Sequence, residues 1–166
     1  SEGIIANQFG PFTFDGKIYG IPIVMDGKAF YYNKEIFSEL NLQVPETWED
    51  FMTVLDAISK TDYIPISLGN QEDWATGHYM TTLNQRMVSA DTLAADYAME
   101  GDFSDAQYVE ALKRLNEMTP YFTPDFNSTS YDTGINDFIT GKAAIYYEQF
   151  NQVQYIQPAE FEWSWL

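Results

Sequence analysis

An α/β domain is the fold class that the sequence predicts. Segments with helical periodicity outnumber short strand-like apolar runs and alternate with them along the chain. Of the 166 residues, 45% are hydrophobic and 17% are aromatic, which is too rich for an unfolded acidic chain. A chain of this length can also bury one sizeable core. We therefore expect a folded domain in which helices pack on a sheet.

The N-terminal segment carries strand signals with one interruption. Asp-Gly at residues 15–16 predicts a hairpin turn. Residues 18–23 and 29–32 are predicted strands, separated by the polar triplet Asp-Gly-Lys at residues 26–28. Because a carboxylate is seldom buried without a partner, the triplet indicates that the chain passes through a cleft or between two bodies.

The remainder alternates between helices and strands. Thr47 is the clearest helix start, because Glu49 and Asp50 place negative charge at the positive end of the helix that follows. Further predicted signals are the caps Asn33 and Asp91, a capping box over residues 104–107, and the terminating Gly141. Predicted helices cover residues 34–40, 47–58, 73–87, a short segment after 91, a helix after 104 that carries residues 108–118, then 131–140 and 150–157. Predicted strands cover 63–68, 143–147 and 160–166.

Charge and composition exclude several functions. The chain has 25 acidic and 8 basic residues, a formal net charge of −17. A nucleic-acid-binding protein needs a basic surface, and anionic membranes and phosphorylated ligands are disfavoured for the same reason. Neutral or cationic ligands remain. Without cysteine there is no disulfide or thiol chemistry, and we predict no catalytic residue, no metal site and no cofactor.

Four segments resemble, in the same order, those of one protein family. They are residues 19–37, the helix start Val44-Pro-Glu-Thr-Trp-Glu-Asp-Phe51, residues 108–125, and Asp137-Phe-Ile-Thr-Gly-Lys-Ala-Ala-Ile-Tyr146. The family is that of the extracellular solute-binding proteins that feed sugars to ABC importers (family 1), the group that contains maltose-binding protein. Its members run to more than twice this length, so the chain resembles a fragment that covers mainly the second lobe.

The resemblance implies a fold and a function. The fold is one lobe of the type II periplasmic-binding-protein architecture, with helices packed on a small mixed sheet. Residues 1–24 would form the crossover with a remnant of the first lobe, with Gly20 and Pro22 at the hinge, and residues 25–166 would form the second lobe. The protein would be a monomer, periplasmic or anchored outside the cell as a lipoprotein. It would capture a saccharide by hinge closure and deliver it to an ABC permease.

Two site residues follow from matching positions, and His78, the only histidine, is a third candidate. Asp26 falls where an acidic residue contacts sugar hydroxyls in the family, although an Asp before Gly27 is also a common turn residue. Trp74 falls where the family often places a sugar-stacking ring, the alternative being a core tryptophan. His78 is a candidate ligand contact or, as a lone histidine, an ordinary hydrogen-bonding residue.

The segment after Tyr146 departs from the family. Relatives usually continue with Gly-Ser-Trp or Gly-Pro-Trp, and that tryptophan stacks on the ligand. Here Phe150 could supply the ring, or Tyr147 if the register differs by one position, while Glu148 would bring polar reach in place of glycine. The departure concerns the identity of the sugar rather than the fold.

Two other functions stay open at this stage. A receptor of the same fold for a cationic or other non-sugar solute would suit the net charge of −17. A fragment of a glycoside-processing enzyme is the second alternative, because 25 acidic residues could include two carboxylates that face one glycosidic bond.

Overall fold

Apolar strands and capped helices build one mixed sheet with helices on both of its faces. The computed structural model describes residues 6–23 and 26–166. The strands are β1 Thr13–Phe14, β2 Lys17–Ile18, β3 Lys28–Asn33, β4 Ile64–Ser67, β5 Ala143–Gln149 and β6 Trp163–Trp165. The helices are α1 Lys34–Glu39, α2 Trp48–Ile58, α3 Ala75–Met87, α4 Ala90–Tyr97, α5 Ala106–Met118, α6 Tyr131–Ile139 and α7 Val153–Ile156. The predicted α/β class is confirmed.

The main sheet has four strands in the order β4-β5-β3-β6. β4 runs parallel to β5, whereas β3 is antiparallel to both β5 and β6. Lys28 pairs with Gln149, and Ser67 pairs with Tyr146. The start of β3 and the carboxyl ends of β4 and β5 therefore lie at one end of the sheet, the top, marked by Lys28, Ser67 and Gln149.

Side chains alternate across β5 and so feed two cores. Ile145 and Tyr147 belong to the larger hydrophobic cluster, which also takes residues from α1, α2 and α3. Tyr146 belongs to a smaller cluster on the other face, with Phe138 of α6 and Ile156 of α7. Within the part of the chain that the structure describes, no helix is long and apolar enough to cross a membrane.

Two predicted helix caps are confirmed. The Oδ1 atom of Asn33 accepts hydrogen bonds from the backbone N–H groups of Glu35 and Ile36, at 2.9 and 3.2 Å. Thr47 Oγ1 accepts from the N–H of Asp50 at 3.1 Å, and Asp50 Oδ2 accepts from the N–H of Thr47 at 3.2 Å, which completes a capping box. These caps satisfy N–H groups that have no partner within the helix.

Three predicted helix starts were misplaced. Ser89, not Asp91, caps α4, because its hydroxyl accepts from the N–H of Thr92. Asp105, not Ser104, caps α5 and accepts from the N–H of Gln107. The helix predicted from residue 73 begins at Ala75, since the backbone at Asp73 is left-handed, with φ of 64°.

The predicted strands were partly wrong. The 15–16 turn forms the expected hairpin of β1 and β2, but β2 ends at Ile18, and residues 19–23 pair with no strand. Residues 24 and 25 lie outside the described residues. β5 continues two residues beyond the predicted end at 147, because Lys28 and Ala29 of β3 pair with Gln149 and Glu148.

The last two predicted elements are shorter than expected. The helix predicted over residues 150–157 is a 3₁₀ turn, Phe150–Gln152, followed by α7. The strand predicted over 160–166 is limited to β6, because only its three residues pair with β3.

Candidate functional site

The top of the sheet collects most of the residues that the sequence singled out. Parallel strands β4 and β5 deliver their carboxyl ends here, and a ligand site commonly forms at such an edge of an α/β sheet. The loop after β4 carries Trp74, β5 ends with Glu148, and Phe150 follows it. Asp26 lies just before β3. Segments that are far apart in sequence thus meet at one surface.

Trp74 stands at the start of α3 with its indole 42% exposed, so it is not a core residue. The loop that holds it is fixed by Asn70, which is buried. Asn70 Oδ1 accepts from the N–H of Thr76 at 3.0 Å, in the first turn of α3, and its Nδ2 donates to Asn127 Oδ1 at 2.8 Å. Trp74 itself makes no side-chain capping bond. Because Asn70 fixes the loop, Trp74 is held in place, and much of its ring surface stays exposed to solvent.

Tyr131 completes the aromatic surface, and the sequence analysis did not single it out. It is the first residue of α6, and its ring centroid lies 4.8 Å from that of Trp74, with the planes 52° apart. The ring of His78 also contacts Trp74, at a centroid distance of 5.2 Å. The only sequence signal for Tyr131 was the predicted helix start at that position, which carried no functional meaning.

Glu148 lies behind these rings and is 3% exposed. Its Oε2 atom accepts hydrogen bonds from the hydroxyl of Tyr131 at 2.7 Å and from the hydroxyl of Tyr146 at 3.2 Å. Its Oε1 atom accepts from the N–H of Gln149 at 2.8 Å. Three donors thus compensate the burial of a carboxyl group, which would otherwise be costly.

Lys28 and His78 bring charge and hydrogen-bonding capacity to the same region. Burial lowers the pKa of Lys28, and the charges of Glu148 and Asp26 oppose this shift. Burial also lowers the pKa of His78, and Lys28 lowers it further, against the opposing effect of Glu148. The imidazole is therefore neutral at pH 7, with one nitrogen able to donate and one able to accept.

Asp26 and Phe150 form a second part of the site. Asp26 Oδ1 accepts from the N–H of Gly27 at 2.9 Å, and its Oδ2 accepts from the N–H of Asn151 at 3.2 Å. The N–H of Phe150 donates to the carbonyl of Gly27 at 2.9 Å, and its ring lies against Gly27, where a Cβ would come within 2.7 Å of it. Phe150 is 49% exposed. Asp26 therefore shapes the turn and still faces solvent.

Tyr147 lies apart from these residues. It is 5% exposed, and its ring packs against Phe30 and Tyr79 at centroid distances of 4.4 and 4.6 Å. Its hydroxyl bonds to that of Thr82. It also lines a groove of about 490 Å³ with Trp48, on the opposite face of the sheet from Glu148. Of the two alternatives for the ring after Tyr146, the geometry favours Phe150.

The site offers hydrogen bonds and aromatic surface rather than metal ligands. Among residues 6–23 and 26–166, no group of three or more His, Cys, Asp or Glu side chains is placed to hold a metal ion. Half-exposed rings stand beside an exposed carboxylate, a lysine and an imidazole. Such a surface can stack on the apolar face of a ring and bind its hydroxyl groups.

Comparison with known proteins supplies the family. The description "bacterial extracellular solute-binding protein" fits residues 3–165. A multiple sugar-binding protein of Streptococcus mutans is 36% identical over 38% of this chain and 15% of its own length. An ABC transporter extracellular-binding protein of Pyrococcus horikoshii is 30% identical over 81% of this chain and 33% of its own length.

A solved structure extends the comparison to the fold. A chitin oligosaccharide binding protein superposes with a TM-score of 0.82 at 24% identity, over 95% of this chain and 42% of that one. The chain thus spans less than half the length of the relatives that it matches, and its architecture is that of part of a type II solute-binding protein. By sequence and by fold, this chain belongs to the bacterial extracellular solute-binding proteins.

Proposed function

We propose that this chain is the second lobe of a carbohydrate receptor that serves an ABC importer outside the cell. The observation that carries the proposal is the corner formed by Trp74 and Tyr131 at the top of the sheet, held from behind by Glu148. The name of the Streptococcus mutans relative supports a sugar ligand, and that of the Pyrococcus horikoshii relative supports an ABC transporter. A lipoprotein anchor or a periplasmic location belongs to the same proposal, as does a monomeric state.

The proposed roles of the residues follow from their exposure and chemistry. Trp74 and Phe150 stack on sugar rings, whose C–H faces are apolar. Asp26 accepts sugar hydroxyl groups, because each of its oxygens retains a lone pair after the bond to the backbone. His78 and Lys28, which both interact electrostatically with Glu148, would offer donors. No step of this scheme breaks a bond in the ligand.

The segment before β3 is the proposed crossover between two lobes. Residues 19–23 belong to no strand, and Gly20 and Pro22 lie within them. The apolar side chains of Phe14, Ile18 and Ile23 are exposed, which favours a hairpin that packs against another part of a longer protein. Hinge bending in this segment would close the first lobe over the ligand, and the closed form would dock on the permease.

Replacement of Trp74 tests the proposal. We expect Trp74→Ala to weaken oligosaccharide binding by about tenfold or more, roughly 1.4 kcal/mol, because the stacking surface is lost. Trp74→Phe, the matched control, should lie between the wild type and Trp74→Ala. The measurement is an NMR titration with neutral xylo-, malto- and chito-oligosaccharides at high concentration, since one lobe supplies only half of the contacts.

The same titration can also give results that contradict the proposed function. Nanomolar affinity of this chain alone would contradict a half-site. Equal affinity of Trp74→Ala and the wild type would remove Trp74 from the site. Sugar signals that change with time, through cleavage, would instead favour the glycoside-processing alternative.

A cationic solute is the second candidate, and the net charge of −17 favours it. Screening by salt separates the two ligands, because attraction between charges weakens at high ionic strength while stacking on a neutral sugar does not. Binding of a polyamine that falls steeply between low and high salt, together with no response to any neutral sugar, would support the cation receptor.

A further inference from the structure

Glu148 was expected to contact the ligand through its polar side chain, but its surroundings indicate another role. The side chain is almost completely buried. Its Oε2 atom already accepts hydrogen bonds from two hydroxyl groups. One carboxylate oxygen offers two lone pairs, so both are in use. The remaining oxygen faces the backbone of Gln149. A ligand would therefore have to displace a hydroxyl in order to reach Oε2, and burial closes off the lone pair that remains on Oε1.

Tyr131 is fixed at both ends by carboxyl groups. Its backbone N–H donates to Glu72 Oε2 at 3.1 Å, and its hydroxyl donates to Glu148 Oε2 at 2.7 Å. Burial raises the pKa of its hydroxyl, the neighbouring hydroxyl of Tyr146 opposes this shift, and the bond to Glu148 adds to it, so the hydroxyl keeps the proton that it donates. The ring of Tyr131 is half-buried, and its hydroxyl end can swing away only if the bond to Glu148 breaks.

The geometry points to Glu148 as a positioning residue: it holds Tyr131 so that Tyr131 and Trp74 present a rigid corner to the ligand, and Tyr131 is itself a ligand contact. This inference rests on the proposed function, because it deepens the account of the same site. A preorganised corner binds more tightly than one whose rings must be ordered when the ligand arrives. The wide angle of 52° between the rings gives the ligand two walls rather than one flat platform.

Three variants separate this role from direct ligand contact. Tyr131→Phe keeps the ring and removes the hydroxyl that donates to Glu148. Glu148→Gln keeps the size and shape of the Glu148 side chain. Its amide NH₂ group, which cannot accept a hydrogen bond, must face either the two hydroxyl donors or the N–H of Gln149. Tyr146→Phe is the matched control, because it removes the other hydroxyl from the same oxygen, which also lies next to the Tyr131 hydroxyl, and keeps the bond between Tyr131 and Glu148.

We expect Tyr131→Phe and Glu148→Gln each to weaken oligosaccharide binding by about threefold or more, and Tyr146→Phe to leave it close to the wild type. The double variant Tyr131→Phe/Glu148→Gln should bind no more weakly than the weaker single variant, since both changes break one interaction. If Glu148→Gln still weakens binding in the Tyr131→Phe background, Glu148 touches the ligand and the inference is wrong.

A second measurement needs no ligand. The NMR signal of the Trp74 indole N–H reports the position of the neighbouring Tyr131 ring, so it should move in Tyr131→Phe and Glu148→Gln and stay in place in Tyr146→Phe. An unchanged Trp74 signal in the first two variants would overturn the positioning role. Failure of the wild type to bind any oligosaccharide would instead count against the proposed function, and the two failures are thereby distinguishable.

Discussion

At the scale of single residues, the sequence proposed Trp74 and Asp26 as exposed members of a site and gave no functional signal for Tyr131. Trp74 and Asp26 could be proposed because a family pattern marks their positions. Tyr131 could not, since its role depends on a contact with Trp74 and a bond to Glu148 that arise only from the folded chain. Tyr147 is buried because both faces of β5 are covered, and the sequence could not show which face it takes.

The pH dependence of stability should show a contribution from His78. Its pKa is lowered from 6.5 by burial and by Lys28, so the unfolded chain binds the proton more readily than the folded one. The stability contributed by the neutral form is therefore present above pH 6.5 and is lost as the pH falls below it. Between about pH 7.5 and 5.5, the wild type should lose more stability than His78→Gln.

Urea unfolding of both proteins across this range is the measurement, and the quantity to compare is the difference between their free energies of unfolding. The exposed carboxylates are common to both proteins and largely cancel in that difference. Parallel curves would show that His78 does not change its proton affinity on folding.

At the scale of elements, the sequence predicted helix starts correctly where one capping side chain determines the first residue. The caps at Asn33 and Thr47 were predicted because a side-chain oxygen at that position satisfies free N–H groups. The caps Asp91 and Ser104 were misplaced because each has a competing acceptor, Ser89 or Asp105, within two residues. The strand over residues 19–23 was wrong because apolar alternation does not supply a pairing partner.

Gly69, just after β4, packs so closely against the start of α6 that no added atom should be tolerated there. At Gly69 a Cβ would lie 2.0 Å from the carbonyl oxygen of Ser130 and 2.8 Å from the nitrogen of Tyr131. Both are backbone atoms, so neither can move aside easily. We expect Gly69→Ala to destabilise the fold by about 1–3 kcal/mol, the usual range for overpacking, and to displace Tyr131.

Gly77→Ala is the control for this prediction. Gly77 lies in α3 close to Trp74, with no atom within 4 Å of an added Cβ, and alanine favours a helix over glycine by up to about 1 kcal/mol. Urea unfolding should therefore show a stabilised Gly77→Ala and a destabilised Gly69→Ala. Equal effects would mean that the contact between β4 and α6 is loose.

At the scale of the whole molecule, the described chain divides into a hairpin and a lobe. β1 and β2 pair only with each other in the described chain, and none of residues 6–23 and 26–28 belongs to either hydrophobic cluster. The α/β class could be predicted from alternating periodicity, but the strand order could not, because β3 and β6 meet across most of the chain.

Removal of residues 1–23 should leave the lobe intact. The remaining chain keeps both clusters and all four strands of the main sheet, so we expect its urea midpoint to match that of the wild type. An equal slope of the transition would show that the core is unchanged. A lower midpoint would mean that the hairpin stabilises the lobe and that a boundary near residue 24 is incorrect.

The position of β3 has a consequence for how the protein is made. β3 is synthesised early, whereas its neighbours β5 and β6 come from the C-terminal end of the chain. Until that end leaves the ribosome, the backbone of β3 has no partner, and an unpaired apolar strand invites contacts with other chains. Pairing across such a separation also closes late in folding. Incomplete copies are therefore expected to expose the edge of an apolar strand.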